Sequence, residues 1–196
     1  MTTFTEQPAY LKHVITHRRT VKPQSMNGQQ IPNEKIQELL QLADWAPTHA
    51  YTEPWFFYVF AGDKVKQFCQ DHAELYKKVR GEAYVPGTYD KLATMGDTAS
   101  HVIISCMRRG ANPNIPELEE IASAAAATQN LLLGAASEGI SAYWGSGGMA
   151  YHPSMKEYLG LREEDKVLGV IYFGYSDITL APGKRTIPLE QKIKWM

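Results

Sequence analysis

Ala46-Pro47-Thr48-His49-Ala50-Tyr51-Thr52-Glu53-Pro54-Trp55-Phe56-Phe57-Tyr58-Val59-Phe60 is the stretch on which the reading of this chain turns. Upstream of it, Ile36, Leu39, Leu40 and Ala43 recur at helical spacing behind Asn33, a good N-cap residue, with Glu34 in the first turn. Pro47 ends that helix, because proline has no N–H and restricts the residue before it. Trp55 to Ala61 is then a run of aromatic and β-branched residues and predicts a strand. A loop carrying hydroxyls and a histidine is thereby set between two buried elements, where a flat ligand can be held.

Working outward, Tyr10, Leu11, Val14 and Ile15 predict a first helix over 8–18, and Pro23 to Gln30 is a breaker. Val65, Phe68, His72, Leu75 and Val79 place a helix over 64–80. Residues 81–96 read as loop with a short helix. His101–Met107 is an apolar strand, and 108–116 a loop rich in Gly, Asn and Pro. The longest element is a helix over 116–138, with Glu117, Glu119 and Glu120 in its first turn. A strand over 140–144, a glycine loop over 145–148, a short helix over 152–159 and a strand over 167–175 complete the pattern. The tail from Ser176 onward has little regular periodicity. Helices and strands mix without βαβ alternation, which argues α+β.

The chain has 196 residues, enough for one domain with a full core, and we expect a single domain over 1–196. A hydrophobic share of 44% with 21% charged residues is ordinary for a globular protein. The formal net charge of −1 gives no electrostatic case for nucleic acid or an anionic membrane as partner. No apolar run approaches the roughly 20 residues of a membrane helix, and Met1 to Gln7 has no apolar signal core. Cys69 and Cys106 show no metal-like spacing, so the expectation is a reduced, cytoplasmic protein with free thiols.

Four clusters invite a chemical reading. His17-Arg18-Arg19-Thr20 closes the first helix; guanidiniums and a hydroxyl suit a phosphate, or the cations simply complement the helix dipole in solvent. Thr48 and His49 can hydrogen-bond a ligand or be structural. Gly145-Ser146-Gly147-Gly148 after Tyr143-Trp144 is either a tight turn or a loop offering backbone N–H groups. The Ala122–Ala127 block, then Gln129, Asn130 and Leu131–Leu133, makes a helix apolar nearly all round, which in a chain this small implies burial by a second subunit. His13 and His17 are four apart but lack a third ligand, so no metal is expected. The dinucleotide, P-loop and G-x-S-x-G patterns are absent.

The order of these motifs resembles the FMN-dependent nitroreductase family, above all its compact, single-domain members. Arg18-Arg19-Thr20 resembles the family's Arg-Arg-Ser, Ala46-Pro47-Thr48 its Ala-Pro-Ser and Pro54-Trp55 its Gln-Pro-Trp. Residues 126–139 resemble the long central helix, and 143–147 and 168–174 the two strands after it. Lys184-Arg185 before Pro188-Leu189 resembles the basic C-terminal element. The resemblance implies an α+β homodimer with a mostly antiparallel sheet and one FMN at each of two interface sites. It implies hydride transfer from NAD(P)H to flavin N5, then from flavin to a nitroaromatic, quinone or similar acceptor, in ping-pong order. No protein side chain is then needed as catalyst, since the flavin carries the chemistry. By position, Arg18, Arg19 and Thr20 would contact the FMN phosphate, ribityl chain or pyrimidine edge, and Lys184 or Arg185 the phosphate. Trp144, Gly145 and Ser146 would touch the flavin or its phosphate, and Trp45 and His49 would reach the flavin of the other subunit. Thr20 keeps the hydroxyl of the usual Ser, Glu53 stands where Gln is usual, and Trp45 is bulkier than the family norm. A flavin storage or sensing protein without turnover would share these binding motifs, whereas a non-flavin hydrolase rests on isolated Ser and His residues alone.

Overall fold

Every residue of the strand His101–Met107 (β2) is buried, because it runs through the middle of the sheet and both of its faces are covered. The computed structural model describes residues 7–196. Around β2 lie Trp55–Ala61 (β1), Ser141–Gly145 (β3) and Lys166–Gly174 (β4), all antiparallel in the order β1-β2-β4-β3. The helices are Gln7–His17 (α1), Asn33–Ala43 (α2), Asp63–Arg80 (α3), Pro86–Ala93 (α4), Glu117–Ser137 (α5) and Pro153–Leu159 (α6). With separate helical layers on an antiparallel sheet, the class is α+β.

Side chains alternate across β2, so the sheet has two cores. Val102, Ile104 and Cys106 pack with Val65, Phe68 and Cys69 of α3 and Met155 of α6. Ile103 packs on the opposite face with Ile36 and Leu39 of α2 and Ala127 and Leu131 of α5. Ser105 also faces α5, where its hydroxyl meets that of Thr128 at 2.7 Å, and Thr128 donates to the Ala124 carbonyl at 3.0 Å. Cys69 and Cys106 are free thiols. Burial pushes them up to about 11 and about 12, so they act as apolar core residues and not as nucleophiles.

The register of β2 against β4 shifts between Ser105 and Cys106, and Leu168 is the bulged residue. The bulge leaves the Leu168 carbonyl open to Trp144 Nε1 at 3.0 Å and to the Tyr151 hydroxyl at 3.2 Å. Gly169 takes φ +144 there, and a Cβ on it would lie 2.3 Å from Trp144 Nε1. The indole is thus pinned at the rim of β3.

Three local expectations need correction. Asn33 is the first helical residue of α2, with Pro32 at the N-cap; the Asn33 side-chain Oδ1 accepts from His101 Nε2 at 2.9 Å instead. That bond ends a chain in which Ile31 N donates to Ser100 Oγ and Ser100 Oγ to His101 Nδ1, tying α2 to the start of β2. The α-helix itself ends at Ala43, and tighter turns (Trp45 N to Leu42 O, Ala46 N to Ala43 O) carry the chain to Pro47. The expected all-round burial of α5 holds on one side only within one chain. Ala124, Ala127, Leu131 and Ala135 are buried, whereas Ala122 and Gln129 are exposed and Ala125, Ala126 and Leu133 half-buried.

Candidate functional site

The segment that leaves α1 runs alongside β3. Thr20 bridges Ala142 in parallel fashion, and Val21 N donates to the Ala142 carbonyl at 3.0 Å. This places Arg18, Arg19 and Thr20 on the outer edge of the sheet. Arg19 is turned to backbone: its guanidinium donates to the carbonyls of Thr16 at 2.7 Å, Arg18 at 2.9 Å and Ala181 at 3.2 Å. Gly183 lies so close that a Cβ there would sit 2.5 Å from the Arg19 Cζ. Arg19 therefore clamps the tail, and the exposed Lys184 and Arg185 follow directly. Arg18 lines a cleft of about 340 Å³ with His13, His17, Ser141, Ala142 and Leu180. Among the described residues no carboxylate lines this cleft, and the two guanidiniums beside it favour an anion.

At the far end of β3, Gly145 is half-buried and Ser146 and Gly147 are exposed. A Cβ on Gly147 would meet nothing within 4 Å, so a ligand can approach that backbone closely. Beneath the loop lies a cavity of about 140 Å³ lined by Gly145, Gly147, Gly148, Tyr143, His72 of α3 and Thr88 and Lys91 of α4. Lys91 is, among the described residues, the one charged residue that lines it. Neither Lys91 nor His72 carried a sequence signal for this place: residues 81–96 had no clear periodicity, and His72 read as one more position on the buried face of α3.

Trp45 and His49 stand elsewhere. Trp45 is 86% exposed just past α2, and His49 pairs with Glu119 at the start of α5. Their loop enters β1 at Trp55, opposite Met107, whereas Ala142, beside Thr20, pairs with Phe173, which pairs with His101 and so aligns with Ala61. The two groups thus lie at opposite edges and opposite ends of the sheet. The loop is itself strained: Ala50, Tyr51 and Glu53 have φ of 51°, 55° and 41°. Such non-glycine conformations cost about 1–3 kcal/mol each and cluster at functional sites. Thr48 Oγ1 holds the loop, accepting from Glu53 N at 3.0 Å and meeting Thr52 Oγ1 at 3.1 Å. Glu53 itself is exposed, on the rim of a cleft shared with Arg108 and Arg162.

An antiparallel sheet flanked by helices, a basic segment laid along one edge strand and a glycine loop at that strand's end can be compared with known proteins. YfhC of Bacillus subtilis (strain 168), named as an NAD(P)H nitroreductase, is 27% identical over 184 residues, covering 92% of this chain and 91% of that protein. The crystal structure of a nitroreductase-like family protein from Bacillus cereus superposes with a TM-score of 0.78 at 27% identity, covering 100% of this chain and 98% of that one. The FMN-dependent nitroreductase NfnB from Mycobacterium smegmatis, solved in complex with NADPH, has the same fold (TM-score 0.71, 20% identity, 97% and 99% covered). The pattern of the nitroreductase family itself matches residues 15–175, most of the chain and all four strands, and on that match the chain belongs to the nitroreductase family.

Proposed function

We propose that this chain is an NAD(P)H-dependent FMN oxidoreductase that works as a homodimer, with residues 1–196 folding as one domain. The observation that carries the reading is the alignment of Arg18-Arg19-Thr20 along β3, whose other end opens into the glycine loop. One strand thus joins a cleft lined by Arg18 and Arg19 to exposed backbone donors and Lys91. These groups fit FMN: guanidinium and hydroxyl groups for a phosphate, glycine backbone for a flat ring, and a cation where negative charge develops on reduction. FMN, when bound, supplies hydride acceptance and delivery at N5. Arg18, Thr20, Lys184 and Arg185 hold the phosphate and ribityl end. Gly145 and Ser146 orient the ring, with Trp144 fixed beside them. The nicotinamide and then the acceptor, a nitroaromatic, quinone or similar compound, use the same open face in ping-pong order.

The dimer reading rests on what one chain leaves open. The Ala122–Ala126–Gln129–Leu133 side of α5 is only partly covered, and among the described residues β1 has an unpaired edge beside an open groove of about 600 Å³ lined by Ile36, Leu40 and Phe57. The tail exposes Ile178, Leu180, Ile187, Leu189, Ile193 and Trp195. Apolar surface on this scale marks an interface. A second copy would also bring Trp45 and His49 to the first copy's flavin, which their own chain cannot do.

The test is spectroscopic. The purified protein should be yellow, bleach within seconds under NADH or NADPH without oxygen, and recover its colour with a nitroaromatic or quinone. A colourless protein that does not take up FMN would overturn the flavin reading, and a yellow one that neither nicotinamide reduces would make it a storage or sensing protein. Arg18→Ala should raise the FMN Kd by about 10- to 100-fold, the worth of a charge-assisted contact. Undiminished FMN retention would move the phosphate away from Arg18.

A further inference from the structure

His72 sits in the middle of α3 at 2% exposure, and its Nε2 accepts the backbone N–H of Met149 at 2.8 Å. That bond fixes the tautomer with the proton on Nδ1. Nδ1 is, among the described residues, the buried side-chain polar atom without a hydrogen-bond partner. Burial holds the imidazole neutral, with its pKa lowered to about 4. Lys91 from α4, Tyr143 from β3 and Tyr172 from β4 face the same cavity, and among the described residues no carboxylate lines it to favour an imidazolium. An apolar side chain of similar size would fill this space without stranding a donor. What histidine alone adds is an acceptor for Met149.

Met149 directly follows the glycine loop. Gly148, at φ +65, rests against the same ring, where a Cβ would lie 2.6 Å from His72 Nε2. We propose that His72 is the positioning residue of the glycine loop: by accepting the Met149 N–H it sets how Gly145, Ser146 and Gly147 present their backbone to the flavin. The flavin part of this inference rests on the function proposed above. The anchoring part rests on the His72–Met149 bond and the close seat of Gly148. The helix supplies the platform, and the exposed loop residues Ser146 and Gly147 take their height from the ring.

The experiment compares the full-length chain with His72→Phe and His72→Gln by amide hydrogen exchange without FMN and by FMN titration. In His72→Phe the Met149 amide should exchange about tenfold faster, and the FMN Kd should rise about tenfold, the worth of one lost anchor. The thermal midpoint near neutral pH should stay or rise. In His72→Gln, whose Oε1 can take the place of Nε2, both exchange and affinity should return towards wild type. Should the phenylalanine variant fail to fold, His72→Met carries the same comparison. Wild-type exchange and affinity in the apolar variant would overturn the proposal, and so would a general loss of protection that glutamine does not restore. If wild type itself binds no FMN, the flavin reading falls, and exchange at Met149 alone decides whether His72 anchors the loop.

Discussion

Glu120→Ala is expected to destabilise the chain by about 3–5 kcal/mol, the cost of removing one partner from a buried ion pair. The Glu120 side chain is 1% exposed and that of Arg109 16%. Glu120 Oε1 accepts from Gly110 N at 2.9 Å, and Oε2 pairs with the Arg109 guanidinium, which also donates to the Ile115 carbonyl at 3.0 Å. A second buried carboxylate continues the network. Asp165 accepts from Arg109 N at 3.0 Å and from Arg162 Nη2 at 2.8 Å, and the same Nη2 donates to the Arg109 carbonyl at 2.7 Å. The loop 108–116 is thereby tied to the start of α5 and the entry of β4. Without the Glu120 carboxylate, the Gly110 N–H loses its acceptor and a largely buried guanidinium loses its counter-charge, keeping only the Ile115 carbonyl. For a chain of this size the loss reads as a fall of roughly 10 °C in Tm. Glu120→Gln keeps an acceptor for Gly110 and should cost about half as much. Replacing both partners, Arg109→Met with Glu120→Leu, should cost less than Glu120→Ala alone, because the penalty belongs to the stranded charge. An alanine variant that unfolds within about 1 kcal/mol of wild type would show that solvent takes over the carboxylate's part.

That network marks a limit of what can be read in advance. Glu117, Glu119 and Glu120 look alike in sequence, three carboxylates in a first turn that suits the helix dipole. In the fold each has its own partner: Glu117 meets Lys166, Glu119 meets His49 and Glu120 meets Arg109. Dipole and spacing place a helix start, but which partner each carboxylate meets is set by the fold, Glu119 pairing with a residue 70 positions distant. Strands were more legible. Trp55–Ala61 and His101–Met107 match their apolar runs residue for residue, because such runs have nowhere to go but into the sheet. α3 was legible apart from Val79, which is 39% exposed because the last turn runs past the core. At the candidate site, motifs local in sequence could be named: Thr20 bridges Ala142 of β3, and Gly145 ends that strand with Ser146 just beyond it. Lys91 and His72 reach the same place only through the packing of α3 and α4 under the loop, which no spacing rule encodes.

Acid should destabilise the protein through His72 as the pH falls below 6.5. Burial lowers the folded-state pKa from 6.5 to about 4, so between those values the unfolded chain binds the proton and the folded one does not. Stability therefore rises with pH across that window. The contribution is fully present above pH 6.5, falls as the pH drops towards 4, and changes no further below the folded value. A shift of this size corresponds to about 3 kcal/mol. Burial also lowers the pKa of His101, which adds in the same direction over a window that likewise starts at 6.5. Asp165 belongs to a separate range. Its burial opposes ionisation, but the side-chain and backbone donors of Arg162 and the backbone N–H of Arg109 outweigh it and lower its pKa from 3.8, so its stabilising effect is lost only below that value. Urea unfolding at fixed temperature from pH 7 to pH 4 should show the decline, and His72→Gln, which does not titrate, should flatten it to the part owed to His101. A glutamine variant with the wild-type slope would mean that His72 takes up its proton in the folded state as readily as in the unfolded chain. Its ring would then be reached by water or an acceptor that answers Nδ1, and the tautomer that holds Met149 would no longer be enforced by burial.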